Sequence, residues 1–408
     1  MKILFLSDNF PPEVNAPASR TFEHCREWVK LGAEVTVITS APNFPQGRLY
    51  EGFRNKLYQT EYVEGIKVIR VWTFITSNSG FALRILDYLS YAFMAFFAAF
   101  FEKADIIIAT SPQFFTACSG YLVSLVKRKP WVFEVRDLWP ESIKAVGAMK
   151  DSLAIRLLEK LELFLYHRAT KIVSVTDSFK ERMIERGVNS EKIAVIKNGV
   201  DLERFTTSDV DPTLRTKLGL EGKFIVGYVG THGMAHGLDF ILHSAKKIET
   251  EPGLEQVHFL LIGDGAEKQN LLKLHQELNL KNVTMLDPVP KETVVKYLNL
   301  LDVALVNLRK SDTFLTVLPS KIFEAAALGK PILLGVEGES KRLVESYQAG
   351  VCFEPENEEA MVQVLRSVVL RGAGWERLQE GGGRLALEFS RGGKAREMLE
   401  VIFRAGSK

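Results

Sequence analysis

Short, fully apolar runs alternate along this chain with stretches in which apolar positions recur every three to four residues. Ile3–Leu6 reads as a buried strand. A proline-rich loop follows, then a helical pattern over Arg20–Leu31 that Gly32 ends, then a strand over Glu34–Ile38. Runs at Ile66–Val71, Ile106–Ala109, Trp131–Val135, Ile172–Val175 and Ile193–Ile196 continue the series. Runs that are apolar throughout predict strands buried on both faces, which means a parallel sheet covered by helices on each side. The pattern restarts at Phe224–Val229 and proceeds through His258–Ile262, Val283–Met285, Val303–Val306 and Pro331–Leu334. Thr206–Gly222, between the two series, is polar and reads as the linker. The expected fold is α/β: two doubly wound, Rossmann-like domains, 1–205 and 206–385, facing a cleft, with ligands at the carboxyl ends of the strands. The glycine clusters 381–383 and 392–393 predict hinged helices in the tail, the last of which, at about 386–408, packs back on the first domain.

One stretch stands apart. Tyr88–Phe101 is 14 residues without a charge. As a helix it would span about 21 Å, short of the roughly 30 Å of a bilayer core. It reads either as a core helix or, because it carries five phenylalanines, as a helix lying on a membrane surface.

Composition narrows the class. With 46% apolar and 25% charged residues among 408, the chain is neither disordered, nor collagenous, nor a disulfide scaffold. Fifty-two Lys and Arg against 50 Asp and Glu leave a net charge of +2, no electrostatic footprint for nucleic acid. Three scattered cysteines without CxxC spacing argue against a zinc site or a disulfide framework and for a reducing compartment. The N-terminal apolar run, about five residues, is shorter than a signal-peptide core. A cytoplasmic location is therefore expected.

The candidate chemistry lies where strands run into glycine- or proline-bearing loops. After the first strand, Asn9–Arg20 opens a helix whose free N–H groups suit an anion or a sugar, or simply connect two elements. Val229–Gly237 places glycines between a strand and a helix, where backbone can approach a diphosphate, with His232 and His236 available as donors. Ile262–Gly265 is a third strand-end glycine turn. In Leu318–Pro331 a helix starts near Ser320 and puts Lys321 in its first turn, where the dipole disfavours a cation. A bound anion would remove that conflict, and Glu324, three residues on, can accept two hydrogen bonds from ribose hydroxyls. Arg136, Asp137 and Trp139 close another buried strand, either facing the cleft or forming a local pair with tryptophan as packing. Zinc spacing, a GxSxG elbow and a Walker lysine loop are absent from the sequence.

In their order, these segments resemble the GT-B glycosyltransferases of the large retaining family 4. The segments are the Pro-Pro-Glu loop (11–13), LGAEVTVITS, KNGVDLERF (197–205), GYVGTHG (227–233), LIGDG (261–265) and PSKIFEAAALGKPI (319–332). VRDLWPES (135–142) is similar to bacterial surface-polysaccharide transferases of O-antigen and capsule that handle acetamido-deoxyhexoses such as N-acetylfucosamine. The resemblance implies a hexosyl transfer from a UDP-sugar to a polyprenyl-diphosphate-linked saccharide, without a metal or other cofactor, by a protein held peripherally on the inner face of the cytoplasmic membrane. It implies donor binding by Gly230, Thr231, His232, His236, Gly263, Val289, Arg309, Thr316, Ser320, Lys321 and Glu324. Acceptor binding falls to Asn15, Arg20, Arg136 and Asp137, and the catalytic set is Asp137, Lys321 and Glu324. Glu324 matches the second acid of the family's Glu-x7-Glu pair, but the first acid's position holds Thr316. The loop at 230–237 carries Thr231 and His236 where the family has Arg and Lys, so Lys321 or Arg309 must supply the cation. A membrane role for 88–101 would be helped by Lys127, Arg128 and Lys129. Two other classes fit the same frame: a non-hydrolysing UDP-sugar 2-epimerase and a non-catalytic nucleotide-sugar-binding subunit.

Overall fold

The computed structural model describes residues 1–44, 46–76, 81–140, 152–208, 210–290, 293–369 and 374–406. Glu141 and Ser142 of the 135–142 segment and Asp209 of the expected linker lie outside them. The chain divides into two compact units, residues 1–198 with 391 onward, and residues 199–390.

The first unit is built on eight strands: β1 (Lys2–Leu6), β2 (Glu34–Ser40), β3 (Tyr58–Val63), β4 (Ile66–Val71), β5 (Ile106–Thr110), β6 (Trp131–Val135), β7 (Lys171–Ser174) and β8 (Ile193–Val195). Their order is β3-β4-β2-β1-β5-β6-β7-β8, parallel except for the β3–β4 hairpin. Helices α1 (Ala16–Lys30), α2 (Phe81–Phe100), α3 (Phe114–Lys127), α4 (Leu153–Arg168) and α5 (Asp177–Glu185) connect them. Asn15 starts α1 by accepting the Ala18 N–H on its side chain (2.8 Å), with proline in the first turn. β1 lies between β2 and β5, so the chain leaves β1 and β5 in opposite directions. That topological switch point opens a crevice at their carboxyl ends.

The second unit holds β9 (Phe224–Val229), β10 (Val257–Ile262), β11 (Val283–Leu286), β12 (Val303–Asn307), β13 (Ile332–Gly335) and β14 (Gly350–Cys352). All are parallel, in the order β11-β10-β9-β12-β13-β14, with the switch point between β9 and β12. Its helices are α6 (Pro212–Lys217), α7 (Leu238–Ile248), α8 (Lys268–Glu277), α9 (Val294–Leu300), α10 (Ser320–Ala327), α11 (Glu339–Tyr347), α12 (Glu358–Val369) and α13 (Trp375–Glu388). The last helix, α14 (Arg391–Gly406), belongs to the first unit. There it buries Met398 and Ile402 beside Phe5 and Trp28, and the Trp28 indole donates to the Ala395 carbonyl (2.8 Å).

Four expectations change. The boundary falls at 198/199 rather than 205/206. The supposed linker contains α6, capped by Asp211, with Leu214, Leu218 and Leu220 on the core of the second unit. Its polarity is that of a short surface helix. Gly381–Gly383 lie inside α13 and form no hinge. A Cβ on Gly381 would stand 2.3 Å from the Tyr347 and Gln348 carbonyls, so the missing side chain lets α13 press against α11. Finally, the apolar helix is longer than its uncharged stretch, because Arg84 and Asp87 sit within α2.

Its 20 residues span about 30 Å, and by length and composition α2 could cross a membrane. Its inner face is nevertheless core. Tyr91, Ala95 and Ala99 are wholly buried, and the Tyr91 hydroxyl donates to the Ile38 carbonyl (2.8 Å). Its outer face exposes Leu86, Leu89, Phe93 (62% exposed), Phe97 and Phe100. The core reading holds for the inner face, and the outer face is an exposed apolar surface.

A buried ion cluster ties the first unit together. Arg20 Nε donates to Glu134 Oε1 (2.9 Å), and each side chain is 1% exposed. The same guanidinium reaches the carbonyls of Ile196 (2.9 Å) and Lys197 (3.1 Å), so α1, β6 and the exit of β8 share one side chain. Burial would raise the Glu134 carboxyl, but Arg20 and Arg136 outweigh it and hold it below the ordinary range. Glu134→Gln leaves the guanidiniums of Arg20 and Arg136 uncompensated. It should cost about 3–5 kcal/mol, read by urea unfolding followed through the tryptophans of this unit. In the wild type, the stability that Glu134 contributes is present above the ordinary carboxylate range and is lost as pH falls through its depressed value.

Candidate functional site

At the β9–β12 switch point two backbone loops interlock. The Gly230 N–H donates to Ile262 O (2.9 Å) and the His232 N–H to Asp264 O (2.8 Å). Gly263, at φ +151°, passes so close to the first loop that a Cβ would stand 1.8 Å from Gly230 O. No residue with a side chain fits there. Lys268, 4% exposed, reinforces the crossing by donating to Gly263 O (3.0 Å) and Leu286 O (2.7 Å).

Lys321 reaches this crossing from the first turn of α10. Its ammonium lies 5.0 Å from the centre of the Tyr228 ring, over the ring face. Its Cε and Nζ occupy the space a Cβ on Gly230 would need, 2.6 Å away. Among the described residues no carboxylate lies within ion-pair distance of it. Burial therefore lowers its pKa, opposed only by Glu324 further along the helix. Pro319 occupies the N-cap of α10 and offers no side-chain cap, so the first N–H groups, beginning at Ser320, are uncapped. Glu324 is half-buried.

His232 and His236 flank Tyr228, each with ring centroid 6.0 Å from it. His232 is fully buried beside the Ile262 carbonyl, and among the described residues neither of its ring nitrogens, nor Nδ1 of His236, makes a well-formed hydrogen bond. Burial, then Lys268 for one and Lys321 for the other, push both down to about 4. At neutral pH they are uncharged, each able to donate from one nitrogen. Thr231 is exposed, and its carbonyl accepts the Tyr228 hydroxyl (2.7 Å).

The structure thus brings together Gly230, Thr231, His232, His236, Gly263, Ser320, Lys321 and Glu324. It separates others. Arg309 is not a spare cation: it grips Asp239 with two bonds (2.9 and 3.0 Å), donates to Met234 O (2.8 Å) and faces Glu356 (3.5 Å). It braces the loop. Thr316 closes a 3-10 turn, its hydroxyl donating to Thr313 O (3.1 Å), and Val289 is half-buried on the core. Neither shares a hydrogen bond with the Lys321 group among the described residues. Asn307, which no sequence motif marked, closes β12 and donates to His236 O (2.8 Å). A polar residue ending an otherwise apolar strand was its available signal.

In the first unit the expected acceptor residues are mostly structural. Arg20 is consumed by the cluster above. Arg136 is half-buried beside Glu134 and donates to Pro17 O (3.2 Å), its pKa brought down to about 9 chiefly by desolvation. Asn15 caps α1 and donates to Asn9 Oδ1 (2.7 Å). Asp137 remains half-buried at the end of β6, its N–H held by the Ser111 hydroxyl (3.2 Å). Asp8, Glu13, Asp87 and Gln113 gather at the neighbouring strand ends, and of these only Glu13 lay in a marked motif, the Pro-Pro-Glu loop.

Two outcomes follow from this geometry. Folded His232 and His236 lie below the ordinary histidine value of about 6.5, so the unfolded chain takes up protons first. Stability should fall as pH drops from that value toward 4, and His232→Asn should flatten part of the decline in a pH series of thermal unfolding. Gly230→Ala should displace the Lys321 ammonium and weaken binding of inorganic pyrophosphate about tenfold, the worth of one charge-assisted hydrogen bond, measured calorimetrically.

Two family models match the chain: Glycosyltransferase Family 4 over residues 18–204, and Glycosyl transferases group 1 over residues 210–382. A putative colanic acid biosynthesis glycosyl transferase of Escherichia coli K12 is 28% identical over 384 residues, covering 91% of this chain and 92% of that protein. The E. coli UDP-Gal:alpha-D-GlcNAc-diphosphoundecaprenol alpha-1,3-galactosyltransferase is 29% identical over 225 residues, 52% of this chain and 54% of its own length. Among solved structures, Anabaena HepE in complex with UDP-glucose superimposes with a TM-score of 0.72 at 18% identity, over 99% of this chain and 100% of that one. With two parallel α/β units, and family models that between them match nearly all of its length, the chain belongs to the GT-B glycosyltransferases of family 4.

Proposed function

We propose that this glycosyltransferase moves a hexose, an acetamido-deoxyhexose, from a UDP-sugar to a polyprenyl-diphosphate-linked saccharide, with retention, during synthesis of a bacterial surface polysaccharide such as O-antigen or capsule. The observation that carries the reading is Lys321. A half-buried lysine whose ammonium has no ion-pair partner among the described residues, set over Gly230 at a switch point beside an uncapped helix end, is suited to an anion. The diphosphate supplies it, and Glu324 takes the ribose. The relatives support the acceptor class, since the name of one specifies an undecaprenol-linked diphosphate and that of another colanic acid.

In the reaction the bond from the sugar's anomeric carbon to the diphosphate oxygen breaks, and a bond to the acceptor hydroxyl oxygen forms. The departing diphosphate takes the hydroxyl proton. Charge on the leaving group is met by Lys321, by N–H groups of α10 and the 230–237 loop, and by a neutral histidine. Those donors stand in place before the reaction, so transfer is expected without a divalent metal. Asp137 orients the acceptor.

The outer face of α2 docks on the membrane that holds the acceptor. Leu122, Leu125 and Val126 of α3 extend its apolar surface, and Arg128 and Lys129 are exposed beside it. Lys127 is engaged within the fold. Its ammonium donates to Phe100 O (3.0 Å) and Glu102 O (2.6 Å), ending α2.

Titration calorimetry with UDP, GDP and ADP, with Mg²⁺ or EDTA, should give metal-independent preference for UDP, weakened by Glu324→Gln. Preference for GDP or ADP would overturn the donor, and binding of none of them would overturn the reading. Lys321→Ala should raise the transfer barrier by about 2–4 kcal/mol, read as kcat/KM over a panel of UDP-sugars with undecaprenyl-diphosphate saccharides. Phe93→Glu with Phe97→Glu should abolish flotation with anionic liposomes and leave UDP affinity unchanged.

A further inference from the structure

We propose that Asp8 and Gln113 form a neutral carboxylic acid–amide pair that positions the loop after β5, and through it Asp137. The pair sits at the β1–β5 switch point of the first unit. Asp8 is fixed by its own carbonyl, which accepts the Thr39 hydroxyl (2.8 Å), the Ser40 hydroxyl (2.8 Å) and the Ser40 N–H (3.2 Å) from the end of β2. Gln113 occupies the N-cap of α3 but does not cap it. Its amide instead donates to Asp8 Oδ2. That bond ties the start of α3 to the end of β1.

The two remaining oxygens define the protonation state. Asp8 Oδ1 and Gln113 Oε1 are both sealed from solvent, and neither has a donor among the described residues. Gln113 as a whole is only 6% exposed. With Asp8 ionised, both are buried acceptors left unpaired, an arrangement proteins rarely keep. One proton resolves both: Asp8 Oδ1–H donates to Gln113 Oε1 while Gln113 Nε2–H donates to Asp8 Oδ2.

The surroundings agree with the neutral form. From α2, Asp87 faces Asp8, with the neutral Tyr91 hydroxyl nearby; from the loop after β1, Glu13 does. Burial first, then Asp87, then Glu13 raise the Asp8 carboxyl well above the ordinary range, and the Ser40 hydroxyl opposes them weakly. The nearby cations are engaged elsewhere. Arg70 binds Glu61 (2.7 Å) and the carbonyls of Ser40 (3.1 Å) and Pro11 (2.5 Å), and Arg84 faces Asp87. Glu134, equally deep but beside two arginines, shifts the opposite way.

The link to Asp137 runs through Ser111, two residues before Gln113. Its hydroxyl accepts the N–H groups of Arg136 (2.7 Å) and Asp137 (3.2 Å). A loop held by Asp8 therefore holds the end of β6. The consequence for transfer rests on the acceptor role proposed for Asp137; the acid–amide pair does not.

The test has two arms on the full chain. At pH 7 the infrared spectrum should contain a protonated-carboxyl stretch that Asp8→Asn removes and Asp87→Asn retains. A band absent from the wild type, surviving Asp8→Asn or lost with Asp87→Asn overturns the pair. In turnover, Asp8→Ala and Gln113→Ala should lower kcat about tenfold through loop misplacement, with UDP affinity unchanged. Asp8→Asn, which can make both hydrogen bonds without titrating, should recover most of that loss and remove the decline of kcat at alkaline pH. A pH profile of Asp8→Asn identical to wild type, or no recovery over Asp8→Ala, overturns the positioning role. Failure of every UDP-sugar to transfer would count against the proposed function, while the infrared arm still decides the pair.

Discussion

A parallel sheet sends the carboxyl ends of all its strands to one edge, and everything chemical in this chain follows from that constraint. Neighbouring strand ends converge without any long-range instruction in the sequence. Where strand order reverses, the flanking loops diverge and leave room for a ligand. Both units have this geometry, at β1–β5 and at β9–β12. The groups collected there are the ones left without ordinary partners: Lys321, His232 and His236 in one unit, Asp8 and Gln113 in the other. Deeper in the first unit a buried charge is matched by an opposite one, as Glu134 is by Arg20.

Charge at depth decides what each buried group becomes. Glu134 and Asp8 are both deep carboxyls a few strands apart. Two arginines outweigh burial at the first, whereas at the second burial acts without an opposing cation and Asp87 and Glu13 add to it. The same comparison separates the cations of the second unit. Arg309 is matched by Asp239 and Glu356 and serves as a brace. Lys321 is unmatched except by the distant influence of Glu324. Residue type alone does not distinguish brace from ligand group; the number of opposite charges within reach does.

The strand series was legible because a fully buried parallel strand has no polar alternation to confuse it. Each predicted strand is present. Those missed, β3 and β14, are edge strands. β3 reads Tyr-Gln-Thr-Glu-Tyr-Val, with no position fully buried, and β14 is three residues long. The loops carrying Gly230, Gly263 and Lys321 were legible because glycine after a strand and lysine in a first helical turn are locally odd choices. Arg20, Arg136 and Asn15, expected on the acceptor side, make structural contacts that the sequence hid for the converse reason. At a strand end or helix start, a polar residue that caps or clamps looks the same in sequence as one that binds. Asp8 and Gln113 lie 105 positions apart, and only the pairing of β1 with β5 makes them neighbours.

The donor edge is built at a cost that only a ligand can repay. The α10 dipole opposes Lys321 in its first turn, burial opposes its charge, and no side chain caps the helix end. Tyr228 offers its ring face, a weaker partner than a carboxylate. An Asp or Glu at Gly230 would pair the lysine, but it would also fill the space between the loops and neutralise the site. Glycine does the reverse: it admits the ammonium and leaves its charge available to whatever enters. On the proposed reading, an anion of two phosphates would meet the lysine, the free N–H groups and the neutral histidines together, so that each locally unfavourable feature would become part of the affinity for the leaving group. That coupling is strongest when negative charge on the diphosphate is greatest, which is as the glycosyl bond breaks.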